Sequence, residues 1–337
     1  MGHSAFNQAY PFSSAEVDTR LASLPQKTTQ YSCGKAIIVG EHAVVYGARA
    51  VAIPIPNFRM KATLTPSSPF RTFPSETPFS QLPIEVSIGG NAAASPLLHE
   101  VVLEACQLLQ VPPFAFSLVG YPHLPLGAGL GGSASLCVVI LKALAVACQR
   151  HIEVQELAFL ANQLEKRFHG TPSGLDTAVV AFEQPISFVK GQPPVLIPLS
   201  PRQKWQFALI DSGTRASTKV MIQQVAGFFQ GDMGRDRVEA CNELAALVEA
   251  GFREGNLPQV AVAMRRAQVI LEAAGTMTPV LQEIVQTVEA IGVLAAKVTG
   301  AGGGGCILAL LDPNEAASQL LRLEAAFSPH SVFSVSL

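Results

Sequence analysis

Apolar residues along this chain fall either into short unbroken runs or into longer stretches with helical spacing, and the two kinds alternate unevenly. Ala36-Ile37-Ile38-Val39 is a short run closed by Gly40, which predicts a buried strand with Glu41 and His42 at its end. Similar runs predict strands at 114–120, 179–182, 186–189, 205–210, 294–297, 307–311 and 332–337. Apolar positions recurring every three to four residues predict helices over 96–109, 133–149, 154–168, 217–229, 237–249, 257–273 and 278–291. Helices gather behind strands in each half instead of alternating with them one for one, so the expected class is α+β. Pro193-Pro194 and Ser200-Pro201 interrupt the pattern before it restarts, which divides the chain into domains at 1–195 and 196–337. Residues 1–28 read as a polar, loosely attached lead-in. The 65–83 segment carries five prolines among Ser, Thr and Phe, so it reads as a loop, either a lid or a plain surface excursion.

Composition narrows the class of partner. With 337 residues, 49% hydrophobic, the chain can bury more than one core. Lys+Arg 23 against Asp+Glu 25 gives a net charge of -2, which makes no electrostatic case for nucleic acid or an anionic membrane and points to a small-molecule pocket. The cysteines at 33, 106, 137, 148, 241 and 306 form no C-x-x-C pair and sit mostly in apolar runs. Free buried thiols in a reducing, cytoplasmic setting are expected, with no disulfide and no zinc site. The first residues lack a basic region followed by an apolar core and do not complete a myristoylation pattern. The most apolar helix, over 134–148, carries Lys142 and is too short to span a bilayer. Whether two copies pair as a homodimer is left open.

Chemistry concentrates in Pro125-Leu126-Gly127-Ala128-Gly129-Leu130-Gly131-Gly132-Ser133-Ala134-Ser135, where a glycine-rich turn leads into an apolar helix. Glycine lets main-chain N–H groups approach an anion closely, and the helix start adds unpaired N–H groups and the positive end of its dipole. Gly127, Gly129 and Gly132 also satisfy G-x-G-x-x-G, the dinucleotide-binding pattern. Context weighs against that reading. A dinucleotide turn follows its strand directly, whereas Tyr121 to Pro125 separates these glycines from the 114–120 strand.

Two more segments give the loop a reaction. Gly34-Lys35-Ala36-Ile37-Ile38-Val39-Gly40-Glu41-His42-Ala43-Val44-Val45-Tyr46-Gly47 lies near the N-terminus, and Lys297-Val298-Thr299-Gly300-Ala301-Gly302-Gly303-Gly304-Gly305-Cys306 near the C-terminus. Together the three segments resemble the signature of the GHMP small-molecule kinases, which include galactokinase, homoserine kinase, mevalonate kinase and phosphomevalonate kinase. The resemblance runs from about residue 31 to 310. The wording of 40–47, with His169-Gly170-Thr171-Pro172-Ser173-Gly174-Leu175-Asp176, is similar to the mevalonate kinase branch. A galactokinase would be expected to read G-E-H-x-D-Y where Ala43-Val44-Val45 stands. The resemblance implies a ribosomal protein S5 domain 2-like N-terminal domain and a ferredoxin-like C-terminal domain with the site between them. It also implies ATP and Mg2+ as requirements and the 5-hydroxyl of mevalonate as acceptor.

Phosphoryl transfer needs a phosphate cradle, a divalent metal, a cation near the developing charge and a group that orients or deprotonates the attacking hydroxyl. By resemblance, residues 125–135 form the cradle, Asp176 is the base and Lys35 the cation beside it. Ser133 and Glu165 are implied as metal ligands, Glu165 lying eleven residues before Asp176. The family usually has two serines after its glycines; here Gly132 replaces the first, so the metal role passes to Ser133. Glu41, His42 and Thr218 are implied substrate contacts, with Lys35 and Asp176, and 302–305 would close beside the phosphates. Each has a plainer alternative: Ser133 or Thr218 as a helix cap, Glu165 beside Lys166 and Arg167 as a solvated charge, Asp176 as a turn residue. Two other functions remain open. A phosphomevalonate kinase would need basic residues for its substrate phosphate, and no such cluster flanks these motifs. A non-catalytic ligand sensor would not need Lys35, Ser133, Glu165 and Asp176 together.

Overall fold

The computed structural model describes residues 25–68, 71, 73–89, 95–123, 125–328 and 331–337. Most of the expected lead-in, with the expected absence of targeting signals read there, lies outside the described residues, as do 69, 70 and 72 of the proline-rich loop. Strand β1 (Thr28–Val39) pairs antiparallel with β2 (Ala50–Pro66). A second strand pair, β3 (Ile84–Ile88) and β4 (Phe116–Pro122), runs parallel. With β5 (Ile186–Phe188) and β6 (Val195–Leu196) these strands form one sheet in the order β3-β4-β2-β5-β6, β1 joining at β2. The helices of this half are α1 (Pro96–Leu108), α2 (Gly132–Ala147), α3 (Val154–His169) and α4 (Leu175–Phe182).

A second, antiparallel sheet has the order β10-β7-β9-β8, from β7 (Gln206–Asp211), β8 (Ala295–Thr299), β9 (Cys306–Leu310) and β10 (Val332–Ser336). Between β7 and β8 the chain forms α5 (Thr218–Val225), α6 (Gly231–Glu254), α7 (Leu257–Ala273) and α8 (Pro279–Ala290), and α9 (Ala316–Phe327) precedes β10. Strands and helices segregate as an α+β chain should. One hydrophobic core runs through both halves: Phe116 and Leu164 of the first share it with Trp205, Phe207 and Phe252 of the second. All six cysteines are free thiols. Burial pushes the Cys33, Cys148 and Cys241 thiols up to about 12, which fits the inert role expected of them.

The sequence expectation had no counterpart for β3, β6 or α9, and two further differences have a clear physical reason. The predicted strand at 179–182 is the end of α4, whose residues from Thr177 to Ala181 are all buried. When every face is covered, an apolar run carries no periodicity that separates strand from helix. Residues 50–66, not expected as a strand, form the long β2. Pro54 and Pro56 hide it, and the structure accommodates them at an irregularity: Cys33 faces Arg59, but Gly34 faces Ile55, so residues 56–58 bulge out of the ladder. That bulge adjoins Lys35. Beyond the end of β2, the described residues of the proline-rich stretch form one short turn of 3-10 helix, Phe79–Gln81.

Candidate active site

The glycine loop fills the turn between β4 and α2, and Gly131 is the N-cap of α2, with φ 75° and ψ 32°. Among the described residues no side chain caps this helix. Its first N–H groups are therefore left to a ligand or solvent, as an anion cradle requires. Only glycine fits at 131: a Cβ there would stand 2.7 Å from Lys35 Cγ, and the backbone is left-handed. The loop is also tied to β1, where the Lys35 N–H donates to Leu130 O at 3.0 Å.

Lys35 itself is buried, at 3% exposure, and its Nζ lies 3.0 Å from Asp176 Oδ2. Asp176 stands in the first turn of α4 and keeps 31% of its side chain exposed. The pair therefore has one closed end and one end open to an incoming hydroxyl. Ser133 is the second residue of α2 and does not cap it. Its hydroxyl donates to Glu165 Oε1 at 3.0 Å, and the Ser133 oxygen lies 3.0 Å from His169 Nε2. Glu165 and His169 are four residues apart on α3, so both face the glycine loop. Burial pushes the Glu165 carboxyl up to about 8, with the Asp176 charge adding to the rise and the Ser133 hydrogen bond and Lys35 opposing it. Burial lowers the His169 pKa. A buried carboxylate next to a second one is a place where a cation is favourable.

The third motif, between β8 and β9, closes against the same loop backbone to backbone. A Cβ on Gly300 would meet Gly129 Cα at 3.0 Å, and one on Gly305 would meet Ala128 O at 2.7 Å. Arg215 bridges the halves, donating from Nε to Leu126 O at 3.0 Å and gripping both Asp211 carboxylate oxygens at 2.7 Å. Thr218 is exposed in the first turn of α5, near Ala216 and Met221, which border Gly303.

The first motif is fastened to the third. Glu41 is 4% exposed and its carboxylate is ion-paired with the Nζ of Lys297, which is 0% exposed. His42, also buried, donates from Nε2 to Ala301 O at 2.9 Å. Both residues face the third motif. The structure thus brings Lys35, Ser133, Glu165 and Asp176 together and pairs Glu41 with Lys297. Sequence reasoning assigned no role to His169, Arg215 or Lys297. His169 was discoverable from its four-residue spacing to Glu165 on a helix. A lysine inside the apolar run of β8 was a signal too, since a buried charge demands a partner, but the partner is not legible from local spacing.

Comparison with known proteins identifies the family. The GHMP kinases N terminal domain model matches residues 97–184, and the GHMP kinases C terminal model matches 246–328. The chain is 28% identical over 284 residues to a mevalonate kinase of Archaeoglobus fulgidus, covering 82% of this chain and 90% of the relative. It is 26% identical over 292 residues to one of Aeropyrum pernix, covering 84% and 88%. Among solved structures, the L. major mevalonate kinase in complex with R-mevalonate superposes with a TM-score of 0.77 at 22% identity, covering 94% of this chain and 98% of that one. With both domain models matched in their expected order along one chain, the protein belongs to the GHMP kinase family.

Proposed function

We infer that the protein transfers the terminal phosphoryl group of ATP to the 5-hydroxyl of mevalonate. The observation that carries the reading is the Lys35–Asp176 pair, half-open and set against an uncapped helix start in the glycine loop. Asp176 orients the acceptor hydroxyl and takes its proton as the oxygen attacks. Lys35, fixed at the buried end of the pair, offsets the negative charge that develops on that oxygen. The N–H groups of residues 131–134 and the main chain of 127–130 hold the phosphates, and the third glycine loop closes over them.

The donor set at Ser133 and Glu165 fits magnesium: hard oxygens, one of them on a carboxylate whose pKa is raised by burial and by the neighbouring Asp176 charge. When bound, Mg2+ would supply positive charge that offsets the negative charge of the phosphates during the transfer. Glu165 and Ser133 are the residues that would hold it, and His169 orders the Ser133 hydroxyl.

The choice of acceptor is supported by the curated relatives, which are mevalonate kinases over most of their length. Fold alone is less selective, since a Streptococcus pneumoniae phosphomevalonate kinase superposes with a TM-score of 0.74. A coupled assay with ATP, comparing mevalonate, phosphomevalonate, galactose and homoserine, tests the reading. Turnover confined to mevalonate supports it, and preference for any of the other three overturns it.

A further inference from the structure

The Glu41–Lys297 pair lies outside the reacting groups, yet it joins the first motif to the third. Lys297 reaches across from β8 and donates to Glu41, to Ile37 O at 3.3 Å and to Val298 O at 2.5 Å. Beside it the Ile37 N–H donates to Thr299 Oγ1 at 2.9 Å, and His42 Nε2 donates to Ala301 O at 2.9 Å. Between these two anchors His42 holds φ 58° and ψ −48°, a conformation a non-glycine residue keeps only when its surroundings impose it. The chain then turns into a 3-10 helix, Ala43–Tyr46, packed on Phe229 and Cys241. Hydrophobic packing would be served as well or better by an apolar pair, because desolvating two charges is costly. A buried ion pair at this seam does something apolar residues cannot: it fixes direction and register between two segments 256 residues apart.

We propose that Lys297 is a positioning residue which, through Glu41, holds the His42 turn and the 300–305 loop in one register for phosphoryl transfer. The proposal rests on the kinase reading above. The Lys297 and Glu41 side chains are sealed, at 0% and 2% exposure, and their role is placement rather than reaction. The turn and the loop do the binding, and the pair keeps them from sliding apart.

The test uses the full chain carrying Glu41→Gln and Lys297→Met together, which removes both charges and leaves no lone buried ion. The folded double variant is expected to show backbone amides of 40–47 and 300–305 exchanging hydrogen at least about tenfold faster, with the β7–β9 amides within about twofold of wild type. Its kcat should fall at least about tenfold, and its KM for mevalonate and for ATP, whose phosphates the 300–305 loop closes over, should both rise. Lys297→Arg, which keeps the cation, should retain more of kcat than Lys297→Met. Unchanged exchange at 40–47 and 300–305, or kcat and mevalonate KM within about twofold of wild type in the folded double variant, overturns the proposal. If the wild-type chain does not phosphorylate mevalonate, the functional reading fails by itself, and the exchange measurement still decides whether the pair sets the seam.

Discussion

Two lysine–carboxylate pairs grow from the same stretch of chain. Lys35–Asp176 begins on β1, and Glu41–Lys297 begins two residues beyond its end. Their chemistry is the same and their surroundings are not. In the first pair the carboxylate is 31% exposed on its side chain; in the second it is 2% exposed. A carboxylate that keeps water on one side can trade a proton with a substrate. One sealed against an ammonium group is shut off from a substrate: burial drives Glu41 up and Lys297 down, and their mutual attraction is the largest influence opposing that drift. Openness, more than residue type, separates the reacting pair from the fastening one.

Substitutions can break this contrast in order of size. Asp176→Asn keeps the shape and discards the base; turnover should drop by about 100- to 10,000-fold, with ATP binding by calorimetry little changed. A variant keeping a tenth of wild-type turnover would show that the open pair is not the reacting one. Lys297→Met alone strands Glu41 without its cation and should cost about 3–5 kcal/mol of stability in denaturant titration, far more than an exposed pair would. A loss under 1 kcal/mol would mean the second pair is less sealed than its geometry indicates. Ser133→Ala removes the hydroxyl between Glu165 and His169; the Mg2+ concentration for half-maximal rate should rise by about 10- to 100-fold, with the mevalonate requirement moving less. His42→Ala deletes one neutral hydrogen bond to Ala301 and should cost about 0.5–1.5 kcal/mol of stability, with weaker mevalonate use and an unaltered ATP KM. Equal damage to both substrates would place His42 in domain closure instead.

Much of the reacting pair was legible because its parts sit in short motifs. Glycines that must let phosphate approach leave a dense pattern, and Asp176 follows a Gly- and Pro-fixed loop. Helices with one apolar stripe, such as α3 and α8, were read nearly at their observed bounds. Boundaries failed where burial is complete or where proline misleads: α4 hid as a strand, and β2 vanished behind Pro54 and Pro56. For Ser133 the plainer alternative was a helix cap, because serine prefers that position, but Gly131 takes it, which frees the hydroxyl for Glu165 and His169. The fastening pair was illegible for another reason. Nothing local in a sequence says which of many acids a buried lysine meets across more than two hundred residues.

The Lys35 and Ile37 N–H groups point to the same edge of β1, as alternate residues must, and deliver one hydrogen bond to each glycine-rich segment. The strand thus works as a ruler with a two-residue graduation, reading the phosphate loop at one mark and the third motif at the next. Substitutions of side chains along it can be absorbed, but a single inserted or deleted residue between 34 and 40 would reverse its parity, turning Lys35 toward the wrong face while the apolar character of the strand stayed the same. Length, before identity, is what this segment must conserve in any variant that is to remain a kinase.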